Sequence, residues 1–208
     1  MNRLGLLGGT FDPPHYGHLV LAEQARIQLD LDRVLFIPAA QPPHKPATEV
    51  TPIQHRLNML ARAIAGNPFF ELSRADIDRP GPHYTVDLLA QLQIAYPDVE
   101  FFFLMGSDSL VDLPRWREPY RLIQMAWLAV MPRPGYAVHM LLLEQALPGI
   151  SKRLIWLDAP FLDISSQDLR RRVGSGGSIR YLVPPDVEIY IYTHGLYRNS
   201  TASTREKP

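Results

Sequence analysis

The sequence predicts an α/β fold, a doubly wound and mainly parallel sheet with helices on both faces. Three observations carry that expectation. Short apolar runs alternate with helix-like stretches along the whole chain. The runs are almost continuously apolar and do not alternate, as strands buried on both faces do not. Loops bearing glycine and hydroxyl residues follow several of them, the punctuation of βαβ units in a Rossmann-like arrangement.

The elements follow in order. Leu4-Gly5-Leu6-Leu7 reads as a buried strand, and Leu21, Ala25 and Leu29 recur at the i, i+4, i+8 spacing of one helix face. Arg33 to Ile37 is a second strand, and Pro42-Pro43-His44-Lys45-Pro46 after it is too proline-rich for a helix interior, so residues 41–50 are expected as a mobile surface loop. Thr51 to Ala65 predicts a helix with Thr51 as cap, Pro52 at the first helical position and Gln54 closing a capping box. Its apolar stripe is Ile53, Leu57, Leu60, Ala61 and Ile64. Strands are expected at Phe69 to Leu72, Val99 to Met105, Trp127 to Met131 and Arg153 to Leu157. Helices are expected after Thr85, Ser107 and Ser165, each of which can serve as an N-cap. From Pro185 to Tyr197 the pattern divides between strand alternation and helical punctuation, and we read it as a helix.

Composition bounds the function. With 208 residues, 46% apolar and 20% charged, the chain holds one substantial core and is short for two domains, so residues 1–198 are expected as a single domain and 199–208 as a disordered polar tail. Twenty-one basic residues balance twenty-one acidic ones, which gives no reason to expect nucleic acid or a membrane as partner. The lack of cysteine excludes disulfides and thiol chemistry and suits a cytoplasmic setting. The oligomeric state stays open, a homo-oligomer included.

The chemistry begins at Gly8-Gly9-Thr10-Phe11-Asp12-Pro13-Pro14-His15-Tyr16-Gly17-His18, which lies between a strand and a helix. Glycines let a backbone approach a phosphate there, and the following helix offers unpaired N–H groups and a positive dipole end. His15 and His18 are three apart, so both rings share a face of the first turn. A zinc pair would need a third protein ligand that no motif supplies, so no metal ligands are assigned. The glycine spacing also departs from the dinucleotide fingerprint, which disfavours a nicotinamide dehydrogenase.

This segment resembles the signature of the nucleotidyltransferases with a His-x-Gly-His motif, and the fuller similarity, from Leu4 to about Tyr197, is to the bacterial nicotinate-nucleotide adenylyltransferases. The resemblance implies adenylyl transfer from ATP to nicotinate mononucleotide in NAD biosynthesis, giving deamido-NAD and pyrophosphate, with Mg²⁺ accompanying ATP. Tyr84-Thr85-Val86-Asp87-Leu88 is similar to a segment of the family's nicotinate pocket, with Trp116 and Arg117 as the opposing wall, although Leu88 stands where a threonine is usual. A helix N-terminus at Thr85 favours a carboxylate over an amide. Gly106-Ser107-Asp108 matches a Gly-x-Asp used on nucleotide, and Asp108 could meet a ribose or Mg²⁺. Ile164-Ser165-Ser166-Gln167-Asp168-Leu169-Arg170 resembles the second nucleotide motif, with Gln167 in place of threonine.

The expected catalytic set is His15, His18, Lys45 and Arg170. The histidines, in protonated form, would hold the reacting phosphates, His18 at the α-phosphate, while Lys45 and Arg170 neutralise pyrophosphate. Gly8, Gly9, Thr10, Phe11, His15, His18, Gly106, Asp108, Ile164, Ser165, Ser166 and Arg170 are expected on ATP. Thr10, Lys45, Tyr84, Thr85, Trp116, Arg117 and Arg133 are expected on the acceptor. Nicotinamide mononucleotide or phosphopantetheine as acceptor remains an alternative, as does noncatalytic nucleotide binding. Lys45 and the basic run Arg170-Arg171-Arg172 also fit plain solvated surface.

Overall fold

The computed structural model describes residues 2–41, 50–160 and 162–198. Six strands, β1 (Asn2–Gly9), β2 (Arg33–Pro38), β3 (Phe70–Leu72), β4 (Val99–Gly106), β5 (Trp127–Met131) and β6 (Leu154–Trp156), form one sheet in the order β3-β2-β1-β4-β5-β6. Every neighbouring pair is parallel. The helices are α1 (Tyr16–Gln28), α2 (Ile53–Ile64), α3 (Thr85–Ala95), α4 (Ser107–Asp112), α5 (Pro119–Met125), α6 (Met140–Ala146), α7 (Ser166–Gly174) and α8 (Pro185–Thr193). No helix among the described residues is long and apolar enough to cross a membrane.

The period-2 geometry of the strands explains why their sequences are apolar throughout. Leu35, Ile37, Phe101, Phe103, Met105, Leu128 and Val130 pack on one face with α3, α5 and α6. Their neighbours Val34, Phe36, Phe102, Leu104, Ala129 and Met131 pack on the other face with α1 and α2. A third cluster joins Met59 of α2 to Leu169 and Val173 of α7 and to Val187, Tyr190 and Ile191 of α8. The segment after Pro184 is therefore helical, as read from its punctuation.

The strand order places the topological switch between β1 and β4, because the chain runs outward through β2 and β3 before returning to β4 on the other side of β1. The carboxyl ends of these two strands border the crevice where such sheets bind ligands.

Three helix caps differ from expectation by one residue. Pro52, not Thr51, is the N-cap of α2, with φ −48° and ψ 140°. Thr51 is instead used through its backbone: its N–H donates to Asp12 Oδ2 at 3.0 Å and its carbonyl accepts from Arg56 Nε at 3.0 Å. The buried face of α2 is also displaced, since Ala61 is exposed while Arg56 and Met59 are buried, because α8 covers a second side of the helix. Tyr84 and Gly106, both extended, are the caps of α3 and α4, so Thr85 and Ser107 are the first helical residues. The freed Ser107 hydroxyl accepts from the backbone N–H of Arg133 at 2.9 Å. Ser165 caps α7 as expected, accepting from the Asp168 N–H at 3.1 Å. His44 and Lys45, with most of the proline-rich loop, lie outside the described residues, as does the tail 199–208.

Candidate active site

Two cavities open at the carboxyl ends of β1 and β4. The first, of about 310 Å³, is bordered by Gly8, Gly9 and Thr10 on one side and by Tyr84, Thr85, Trp116 and Arg117 on another. The second, of about 220 Å³, is bordered by His15, His18, Gly106, Asp108, Arg133, Ser165 and Ser166. Gly8, Phe103, Ser109 and Trp116 border both, so the cavities are adjoining compartments of one crevice. The Trp116 ring stands edge-on to Phe103 with centroids 6.1 Å apart, which fixes the partition between them. At Gly8 a Cβ would meet only the Phe103 ring, at 3.8 Å, so the missing side chain leaves space in the crevice itself.

The histidines are held by their own loop. His15 is the N-cap of α1, and its backbone N–H donates to His18 Nδ1 at 3.2 Å. Because that nitrogen accepts, a neutral His18 carries its proton on Nε2, the pole free to donate to a ligand. The two rings stack with centroids 3.8 Å apart, and Phe11 meets His18 edge-on at 5.0 Å. Phe11 itself is buried and does not border either cavity; it holds a left-handed φ of 50° that few large residues adopt. Gly17 has to be small here, since a Cβ would lie 3.0 Å from His15 Nδ1.

The charge state differs from expectation. Burial first, then His18 and Arg133, push His15 far below the ordinary imidazole value. Burial and then Arg133 push His18 down to about 3. In the protein's own field both rings are neutral near pH 7, because apolar packing and a neighbouring guanidinium both disfavour a second positive charge. The buried Nδ1 of His15 has no hydrogen-bond partner.

Arg133, grouped by sequence with the acceptor residues, lines the histidine compartment instead. Its guanidinium donates to Asp108 Oδ2 at 2.7 Å and to the Ile164 carbonyl at 3.1 Å. The loop before α7 is thereby tied to the loop after β5 and, through Asp108, to α4. Asp108 Oδ1 stays buried without a partner. Gly106 is required beside them, as a Cβ would lie 2.3 Å from Asp108 Oδ1 and 2.7 Å from Arg133 Cδ.

Arg170 does not border either cavity among the described residues. It donates to the Asp12 carbonyl at 2.7 Å, and Ser166 Oγ donates to the Pro13 carbonyl at 2.8 Å, so the second motif grips the histidine loop from behind. Arg171 and Arg172 pair with Asp168 on the exposed side of α7, the solvated face that the basic run also fitted. Gln167 is exposed, whereas Leu88 is both buried in the core and in contact with the first cavity.

Sequence reasoning missed three supports. Arg56, 2% exposed, donates to the carbonyls of Thr10, Ala39, Ala40 and Thr51 and so joins the loops after β1 and β2 to the start of α2. Its place three residues before Met59 and four before Leu60 put it on the apolar face, which was the available signal. Tyr197 donates its hydroxyl to Asp12 Oδ1 at 2.6 Å across almost the whole sequence, and no local pattern marks it. Asp76, also buried, takes Arg79 Nε and Nη2 at 2.9 and 2.6 Å and borders the first cavity together with His83.

Comparison with known proteins agrees with this geometry. Residues 6–172 match the family model described as cytidylyltransferase-like. A protein of Thermomicrobium roseum named probable nicotinate-nucleotide adenylyltransferase is 52% identical over 97% of this chain and 94% of its own. One of the same name from Thermus thermophilus is 46% identical over 94% of this chain and 100% of its own. The solved structure of Plasmodium falciparum nicotinic acid mononucleotide adenylyltransferase complexed with NaAD has the same fold, with a TM-score of 0.79 at 21% identity over 95% of this chain and 98% of that one.

Proposed function

The chain belongs to the cytidylyltransferase-like family, and on that footing we propose that it is a nicotinate-nucleotide adenylyltransferase. It transfers the adenylyl group of ATP to nicotinate mononucleotide, giving deamido-NAD and pyrophosphate. The observation that carries the reading is the pair of adjoining compartments, one with two imidazoles and the other at the N-terminus of α3, meeting at Gly8 and Trp116. A two-substrate transfer needs such a junction, since it joins reactants held in separate subsites.

In this proposal a phosphate oxygen of the mononucleotide attacks the α-phosphorus of ATP, and the bond from that phosphorus to the bridging oxygen of pyrophosphate breaks. No protein nucleophile is needed, because the attacking phosphate is already anionic. His18 donates Nε2–H to an α-phosphate oxygen as a neutral hydrogen-bond donor, and Arg133 supplies the fixed positive charge beside it. Approach of the polyanion raises the affinity of both rings for protons, so they gain charge as charge builds on the leaving group. Ser165, Ser166 and the first-turn N–H groups of α7 face the nucleotide, and Arg170 acts through the histidine loop it holds. Tyr84, Thr85, Trp116 and Arg117 receive the pyridine ring, whose carboxylate suits the positive end of α3. Lys45 is assigned to the leaving phosphates.

Mg²⁺ fits as a companion of the triphosphate. Asp108 is the one carboxylate bordering the histidine compartment among the described residues, its Oδ1 is unpartnered, and Mg²⁺ commonly takes one or two carboxylates plus phosphates. When bound it would neutralise charge on the triphosphate. Residues 1–198 are proposed as one nucleotidyltransferase unit in the cytoplasm. The test supplies purified protein with ATP, Mg²⁺ and nicotinate mononucleotide, nicotinamide mononucleotide or phosphopantetheine in separate reactions and measures pyrophosphate. Release with nicotinate mononucleotide well above the other two is expected; silence with it defeats the reading.

A further inference from the structure

The first compartment contains a polar ring that nothing above uses. His83 borders the cavity beside Tyr84 and Thr85, with its side chain 15% exposed. Its Nδ1 is buried without a hydrogen-bond partner, and the nearest acidic group is Asp76, whose Oδ2 lies 3.5 Å away. The ring thus turns Nδ1 to that carboxylate and keeps Nε2 as its other hydrogen-bonding atom.

The surroundings of His83 are built to hold it. Asp76 is fixed by Arg79 on Oδ1 and by the backbone N–H of Ala40 on Oδ2, at 2.9 Å. Arg79 is 8% exposed, and its remaining N–H groups donate to the carbonyls of Pro82 at 2.8 Å and Tyr84 at 3.1 Å. One guanidinium therefore clamps the backbone on both sides of His83 while it anchors the carboxylate behind the ring. The other cationic side chains bordering the cavity, Arg115 and Arg117, are 87% and 63% exposed and sit near Asp112 and Glu118 at the rim. His83 is thus the imidazole set into the wall beside Tyr84 and Thr85, next to the N-terminus of α3.

We propose that His83 is a specificity residue for the acceptor, donating a hydrogen bond to the carboxylate on its pyridine ring while Asp76 accepts from the other ring nitrogen. This rests on the adenylyltransferase reading and names the group that would separate the acid from the amide. Asp76 behind the ring holds it in orientation when an anion reaches its far side, as a buried aspartate orients a catalytic histidine. The 3.5 Å separation closes on binding, since such contacts are often long before the ligand arrives. The amide analogue has no charge to complete the bridge, so it gains less from the same ring.

The test compares the wild type with His83→Phe, which keeps ring volume, and His83→Gln, which keeps a donor. Steady-state constants are measured for ATP, nicotinate mononucleotide and nicotinamide mononucleotide, with melting temperature followed in parallel. In His83→Phe the KM for the acid is expected to rise roughly ten-fold, the size of one lost hydrogen bond to a charged group. Its kcat and the KM for ATP should stay within about two-fold, the acid-to-amide ratio of kcat/KM should fall, and His83→Gln should recover part of both losses. An unchanged acid KM and ratio in an active His83→Phe enzyme overturns this inference alone. Equal changes toward acid, amide and ATP in both variants overturn it in favour of a structural role. A wild type that releases no pyrophosphate with nicotinate mononucleotide overturns both readings.

Discussion

At the residue scale the histidine pair dominates. His18 offers one well-placed donor, so His18→Ala should lower kcat by about two orders of magnitude, as loss of one preorganised oxyanion donor does. Near-normal turnover in an initial-rate assay would refute that role. The neutrality of the rings has a separate consequence for stability. Both imidazoles bind protons more weakly folded than unfolded, so the unfolded chain takes up more protons as pH falls below the free value of 6.5, towards the folded value of about 3 for His18. Their contribution is intact above that free value and is lost progressively below it. The carboxylates Glu23, Glu144 and Asp168, held low chiefly by Arg26, Ser151 and Arg172 respectively, lose their contributions only under more acid conditions. Between about pH 7 and about pH 5 the ligand-free enzyme should therefore lose thermal stability, and the double variant His15→Gln, His18→Gln should lose less. Parallel Tm profiles for the two proteins would contradict this. Gly106 bears on the same compartment: Gly106→Ala should raise the KM for ATP about ten-fold by displacing the Asp108–Arg133 pair.

At the element scale the loop from Thr10 to His15 has almost no regular structure and is positioned from outside. Arg56 holds the Thr10 carbonyl, Thr51 and Tyr197 hold the Asp12 carboxylate, and α7 holds the carbonyls of Asp12 and Pro13. Burial, the Asp12 charge and the hydrogen bond keep the Tyr197 phenol protonated, in that order of effect, so it remains a donor. Burial lowers the pKa of Arg56 while Asp12 works in the other direction, a cation kept by its partners. Arg56→Met should cost about 3 kcal/mol or more in urea unfolding, since buried carbonyls and the Asp12 charge lose their partner. Tyr197→Phe should cost about 1 kcal/mol and lower kcat more than either KM, because it loosens the loop without touching substrate. A kcat unchanged alongside a lowered Tm would mean that the strut from Tyr197 stabilises the fold and does not aim the histidines. These supports also mark where sequence reading stops. The buried strands and the cap at Ser165 are legible because each depends on residues within one turn or one strand. Arg56, Tyr197 and the path of Arg170 depend on which segments meet across the molecule, and no local spacing encodes that.

At the scale of the whole molecule, strand order decides what the motifs can do. The glycine loop, the Gly106 turn and the α7 start are each legible as places where a nucleotide could be met, yet only the placement of β4 beside β1 makes them neighbours. The same placement brings Arg133 into the histidine compartment, because it follows β5, which pairs with β4 next to Asp108. It also makes Trp116 a shared wall: its ring packs on Phe103 of β4 and borders both compartments. Residues confined to one compartment should affect one substrate, whereas the partition should affect two. Trp116→Ala should accordingly raise the KM for both ATP and the acceptor, each by roughly ten-fold for the loss of a large aromatic contact. Tyr84→Ala should raise only that for the acceptor, and Asp108→Asn only that for ATP. Fluorescence titration with a nonhydrolysable ATP analogue, with and without acceptor, should further show that the two ligands assist each other's binding in the wild type and lose that coupling in Trp116→Ala. By reciprocity the assistance must be equal in both directions. A Trp116→Ala variant that shifts one KM alone would mean that the compartments are separate sites, and the in-line transfer between them would have to be abandoned.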